Sequence, residues 1–157
     1  MAGKGEFEVV RKATIPASRA TVYGLVVDFH RWRAWSPWED VDPDLSRTYS
    51  GPDAGTGAVY EWSGNRKAGS GRMEITDAVE PSKIQIALQF LKPFKANNRT
   101  TFEFVERDGQ TDVTWRMVGA KTLMTRVMGI VMSMDKMVGK DFEKGLAQLS
   151  DAATKPA

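Results

Sequence analysis

Cysteine is absent from this chain. That excludes disulfides, thiol nucleophiles and cysteine-held metals. Histidine is almost absent: His30 is the single one, so a histidine-rich metal site and a two-histidine mechanism are excluded as well. Neither sign of charge dominates. The formal net charge is +2, and the lysines and arginines are scattered, which predicts no nucleic-acid partner. Long hydrophobic runs are missing too. The longest, 127–134 with Gly129 and Ser133 inside it, spans eight residues, whereas a membrane-spanning helix needs about 20, so stable membrane insertion is not expected. The first residues hold no apolar stretch of the secretory kind. A cytoplasmic location is the expectation, and the sequon Asn98-Arg99-Thr100 then reads as coincidence.

The composition that remains is ordinary for a globular protein, 41% hydrophobic and 27% charged. A length of 157 residues suits one domain with a sizeable core. The expected domain is 1–157, with a core over 6–153 and flexible ends at 1–5 and 154–157. Gly51-Pro52-Asp53-Ala54-Gly55-Thr56-Gly57 is rich in glycine. Its spacing fits neither a dinucleotide fingerprint nor a P-loop, and no Gly-Lys-Ser/Thr follows, so it reads as a turn. No cofactor and no metal are expected.

Alternating apolar and polar residues predict strands at 6–15, 45–49, 58–64, 72–79, 83–91, 98–107 and 110–118. In the first, Phe7, Val9, Ala13 and Ile15 share a face that Arg11 interrupts. In 72–79 the inward set is Met73, Ile75 and Val79, interrupted by Asp77. Asp108-Gly109 is a strong hairpin signal. Ser18 is a good cap for a short helix over 19–28, and a second short turn fits 29–35. The stretch 120–153 reads as one long helix. Its apolar stripe runs through Met124, Val127, Met128, Val131, Met134, Val138, Phe142, Leu146 and Leu149. A helix with one apolar face needs cover, and only the strands can supply it. The expected fold is α+β: a curved antiparallel sheet of about seven strands wrapped on a long C-terminal helix, with two short helices after the first strand.

Four stretches carry a family resemblance: Trp32-x-x-Trp35-Ser36-Pro37, Gly51-Pro52-x-x-Gly55-x-Gly57, Trp62-x-Gly64, and the helix segment Met134-Asp135-Lys136-Met137-Val138-Gly139-Lys140-Asp141-Phe142-Glu143-Lys144-Gly145-Leu146. With the order of elements, they resemble the polyketide cyclase/dehydrase-type branch of the START/Bet v1-like (SRPBCC) superfamily over nearly the whole chain. The resemblance implies the helix-grip fold, with a hydrophobic cavity between sheet and C-terminal helix. Its members include lipid carriers, plant hormone receptors and aromatic polyketide cyclases, so the resemblance leaves the activity open.

Three functions compete. The first is binding of a small hydrophobic or aromatic molecule, lipid- or polyketide-like. The strands would supply Tyr60, Trp62, Met73, Ile75, Leu88, Phe90, Phe102, Trp115 and Met117 to the cavity wall. The helix would supply Met124, Met128, Val131 and Met134. Six of the eight methionines fall between Met117 and Met137, and methionine adapts to varied shapes. The same residues would equally serve as plain core. Trp32, Trp35 and Trp38, three rings in seven residues, either plug the end of that core or, as Trp35 and Trp38, line the cavity mouth.

The second function is a polyketide cyclase or dehydratase, which needs an acid or base at the substrate. Asp135 is the candidate, only ~40° from the centre of the helix stripe, where partial burial would raise its pKa; an ion pair with a sheet residue would make it structural instead. Asp77 poses the same choice. Arg11 could anchor an acidic ligand or pair with Asp135. His30 reads as structural. The third function is a chaperone- or membrane-interacting module, using Met124, Val127, Met128 and Ile130 beside Lys121 and Arg126. The oligomeric state is not readable from the sequence.

Overall fold

The computed structural model describes residues 6–38, 44–65, 69–92, 95–120 and 130–155, with side chains described at all of these except 120 and 130–137. Seven strands form one antiparallel sheet: β1 (Glu6–Ile15), β2 (Ser46–Ser50), β3 (Val59–Ser63), β4 (Ser70–Val79), β5 (Lys83–Lys92), β6 (Ala96–Arg107) and β7 (Gln110–Ala120). Their order is β1-β7-β6-β5-β4-β3-β2. Strands β2 to β7 are a meander of sequence neighbours, and β1 closes it by pairing with β7. A nine-residue helix (Arg19–Val27) and a 3-10 helix (Phe29–Ala34) follow β1, and the C-terminal helix is described over Ile130–Thr154. The expected α+β helix-grip arrangement is therefore the observed one.

Local chemistry accounts for the punctuation. The Ser18 hydroxyl accepts from the Thr21 backbone N–H at 3.3 Å, and the Asp28 carboxylate accepts from that of His30 at 2.9 Å, so each short helix begins on a side-chain cap. Asp108 and Gly109 both adopt positive φ, 56° and 79°, which a two-residue hairpin of the favoured twist requires. The 51–57 turn is tied into the fold: the Gly55 N–H donates to Val27 at the end of the first helix, and the Gly57 N–H donates to Ile75 in β4.

Two expectations are corrected. Ala120 does not begin the helix. It is the last residue of β7, paired with Glu6, and Gly119 pairs with both Phe7 and Asn98. The ladder supplies partners for the backbone there, which local helical pattern cannot reveal. The second correction concerns β4. A register shift between Ile75 and Asp77 inserts an extra residue against β5. Strand parity flips after such a bulge. Ala78 is therefore the residue packed on the core, Val79 is 51% exposed, and Asp77 lies on the solvent side. Asp77 does not interrupt the inner face.

The core sits between the sheet and the last four turns of the C-terminal helix. Phe142, Leu146 and Leu149 are buried there against Phe102, Phe104, Val113 and Trp115, with Val138 packed at the margin. Phe142 stacks on Trp115 with centroids 4.0 Å apart and planes 7° from parallel. The first helix contributes Val22, Tyr23, Leu25 and Val26 to the same cluster.

Candidate functional site

The ladder registers sort the inner face into rows that cross the strands. One row joins Trp62, Gly71 and Phe90; the next joins Tyr60, Met73, Leu88, Asn98 and Gly119; the third joins Ile86, Thr100 and Met117 to Ile75 and Val9; the fourth joins Ile84, Phe102, Trp115 and Arg11. Burial changes along this series. The fourth row is sealed by the helix: Ile84 and Phe102 are fully buried, and Trp115 is 1% exposed. In the first two rows, Trp62, Met73, Leu88 and Phe90 are large, apolar and only partly buried. Nine of the sequence-proposed wall residues thus share one face of the sheet. They divide into a closed set (Tyr60, Ile75, Phe102, Trp115, Met117) and a partly open set (Trp62, Met73, Leu88, Phe90).

Trp62 is held over its cross-strand partner Gly71. A Cβ at Gly71 would collide with the indole ring and with the Gln89 carbonyl oxygen, so glycine is what lets the ring lie flat on the sheet. Trp62 then meets Phe90 edge-on at 5.9 Å and Tyr60 at 6.1 Å, forming a continuous aromatic floor.

The tryptophan segment divides by role. Trp32 and Trp35 are 3% and 1% exposed. Each indole N–H donates at 2.8 Å to a carbonyl at the end of the first helix, Trp32 to Val26 and Trp35 to Leu25. Those carbonyls have no further turn to bond them, so the two rings plug the core and cap a helix together. Trp38 is 38% exposed and lies edge-on to Trp115 and Phe142.

The polar candidates fall mostly outside the inner floor. Arg11 donates through Nε to Glu143 at 2.8 Å and through Nη1 to the Val10 carbonyl, with its guanidinium lying across Gly139. His30 stacks on Tyr49 at 4.1 Å and shares a hydrogen bond with the Asp28 carboxylate at 2.8 Å, fixing the ring at the rim of a small surface groove of about 90 Å³. A larger open groove of about 240 Å³ lies between the Trp35 segment and the last turns of the C-terminal helix, with Arg33, Asp151 and Lys155 at its edge. Met124 and Met128, with the side chains of Val131, Met134 and Asp135, lie outside the described residues, and so does the basic surface expected at 121–130.

Two side chains of the inner face, Thr100 and the expected wall residue Trp115, carry polar atoms whose state the sequence does not reveal. Thr100 and Trp115 are buried, and among the described residues neither Thr100 Oγ1 nor Trp115 Nε1 has a hydrogen-bond partner. Alternation marks both as inward. It carries no signal that their polar atoms go unpaired.

Residues 6–154 match the model of the family described as polyketide cyclase/dehydrase and lipid transport. The chain belongs to that family. Among solved structures it is similar to a Thermobifida fusca protein, with 22% identity over 93% of this chain and 92% of that one at a TM-score of 0.70. It is also similar to the di-domain ARO/CYC protein BexL of the BE-7585A biosynthetic pathway, with 16% identity over 99% of this chain and 52% of that one at 0.69. A third is Ara h 8.0201, with 12% identity over 95% and 98% at 0.67. Identities this low establish the shared fold. The comparison with curated proteins gives no match. No helix among the described residues is long and apolar enough to cross a membrane.

Proposed function

We propose that this family member binds a small hydrophobic or aromatic molecule, lipid- or polyketide-like, between the inner face of the sheet and the N-terminal half of the C-terminal helix. The supporting observation is the gradient of burial along the sheet. Large apolar rings and chains that would normally be sealed stay partly open at Trp62, Met73, Leu88 and Phe90, while the same face is closed under Phe142 and Leu146. A face of that kind gains free energy by burying further apolar surface, about 25 cal/mol per Å². Membership of a family described as polyketide cyclase/dehydrase and lipid transport agrees with a ligand of this kind.

The cyclase reading needs an acid or base at the ligand. Among the described residues the buried polar side chains are Ser36, Asn98, Thr100 and Thr111, and none titrates near neutral pH. The side chain of the cyclase candidate, Asp135, lies outside the described residues; carrier or receptor chemistry needs no such group and is the reading that the partly open floor supports. Native mass spectrometry of freshly purified protein tests it. A co-purifying small molecule is expected, released on denaturation and less abundant in Trp62→Ala. A spectrum of bare protein, together with no saturable binding of 1-anilinonaphthalene-8-sulfonate, would refute it.

A further inference from the structure

The buried polar atoms of this fold are paired with care. The indoles of Trp32 and Trp35 each reach a backbone carbonyl at 2.8 Å. The fully buried Thr111 donates its hydroxyl to the Ala17 carbonyl at 2.8 Å. Against that background the exceptions are Trp115 Nε1 and Thr100 Oγ1, both buried and both without a partner among the described residues. They are not scattered. Phe102 stands opposite Trp115, and Thr100 stands opposite Met117, on adjacent strands of one ladder. Thr100 and Trp115 are thus diagonal neighbours on one face, roughly 7–8 Å apart along the sheet. Trp115 stands in the sealed fourth row, and Thr100 in the third, which separates that row from the partly open apolar floor.

The orientation of Trp115 is fixed. Phe142 and Phe102 pack on the ring with centroids at 4.0 and 4.8 Å. A Cβ at Gly145 would come within 2.8 Å of Cζ3, a benzo-ring atom across the indole from Nε1. The benzo edge therefore abuts the sealed end of the helix, and the N–H edge is turned away from it. Thr100 lies one row further from that end. A buried donor and a buried hydroxyl left unpaired among the described residues, next to an apolar floor, are free to meet an acceptor on a ligand.

We infer that Trp115 Nε1 and Thr100 Oγ1 form the polar anchor of the ligand site, so that the ligand is an apolar ring system bearing a carbonyl-type oxygen rather than a plain hydrocarbon. The inference rests on the cavity proposed above and names the chemistry that would be recognised there. Indole N–H is a donor only, and the threonine hydroxyl can donate alongside it. One oxygen with two lone pairs can receive both bonds. A fixed water could satisfy the same atoms, but it would confer no preference for an oxygen on the ligand.

The test uses two probes of one fused-ring shape, tetralin and its ketone 1-tetralone, titrated into wild-type protein and followed by NMR of the indole N–H signals, assigned through their backbone connections. The ketone is expected to bind about fivefold or more tightly than the hydrocarbon, in line with one recovered buried hydrogen bond. The Trp115 indole proton should move downfield with 1-tetralone and not with tetralin, a readout needing no variant. Trp115→Phe and Thr100→Val should each bring the ketone's advantage over tetralin in the same variant below about twofold. Equal affinities in wild type, an unmoved Trp115 signal, or a preference that persists in the double variant would overturn the anchor and leave the cavity standing. Failure of both probes to bind at their solubility limits would remove the cavity, and the anchor with it.

Discussion

Trp35 is a single side chain carrying two kinds of load. Its ring meets Trp32, Phe102 and Trp115 at centroid distances of 4.6, 6.0 and 5.6 Å, and its N–H closes the end of the first helix on Leu25. Trp35→Phe removes the donor and part of the ring. It leaves a buried carbonyl short of a partner and a space in a packed aromatic cluster, which together should cost about 2–4 kcal/mol. Urea unfolding should show a lower midpoint at an unchanged slope. A different residue-scale effect belongs to Asp112. The Thr14 hydroxyl donates to it at 2.7 Å and Arg107 donates twice at 3.1 Å, holding its carboxyl below the usual value of 3.8. Because the folded state binds this proton less tightly than the unfolded chain, the stabilisation is complete above that usual value. It is lost as pH falls through the lower folded value. Asp112→Asn should thus lower the unfolding midpoint at pH 7, and the gap to wild type should close in the acid range below about pH 4. A gap that is constant with pH would show that the carboxylate charge is not what matters.

At the scale of one element, the C-terminal helix contains two glycines whose reasons differ. At Gly145 a Cβ would lie 2.8 Å from Trp115 Cζ3 and 3.0 Å from Pro37 Cδ, both parts of buried, rigid neighbours. At Gly139 the three nearest atoms it would meet all belong to the guanidinium of Arg11, the end of a flexible chain whose partner Glu143 is well exposed. Alanine gains about 1 kcal/mol over glycine in a helix interior, while overpacking against a fixed core costs about 1–3. Gly145→Ala should therefore lower the melting temperature and perturb the near-ultraviolet tryptophan signal. Gly139→Ala should leave stability unchanged or slightly higher, since the exposed ion pair it disturbs contributes little. If both alanines behaved alike, helix propensity alone would be deciding. The same helix shows what a sequence reveals. The 3.6-residue spacing of Phe142, Leu146 and Leu149 is local information and it identifies the buried face. The end of β7 at Ala120 is set by pairing with Glu6, more than a hundred residues away in sequence, and no local pattern carries it. The bulge in β4 is hidden for the same reason: parity after Ile75 depends on register with β5, so Val79 looks inward in sequence and is exposed in the fold. For the site, alternation brought Trp62, Met73, Leu88 and Phe90 to one face. That Thr100 and Trp115 lack partners depends on what stands across from them, which only the folded chain defines.

At the scale of the whole molecule, the sheet and helix divide into a sealed half and a partly open half, and stability and binding should separate along that line. Phe142 is 1% exposed and stacked on Trp115, so Phe142→Ala should destabilise the free protein by about 3–5 kcal/mol. Trp62 is only partly buried, with a neighbour, Gly71, that offers it no side chain to lock against. Its loss exposes less new cavity surface, and Trp62→Ala should cost about 1–2 kcal/mol. Binding should rank them in reverse. A ligand that favours the folded state raises the melting temperature in proportion to RT ln(1 + [L]/Kd). With tetralin in excess, a probe that makes no use of the Trp115 N–H, wild type and Phe142→Ala should gain similar increments over their own ligand-free values, and Trp62→Ala should gain little. The ordering matters because a simple core would give one answer for both variants: whichever residue costs more stability would also cost more binding. Increments that fall in parallel with stability would mean that the two halves act as one packed core. Increments that fall with Trp62 and not with Phe142 would mean that the open aromatic floor binds while the helix end holds the fold together.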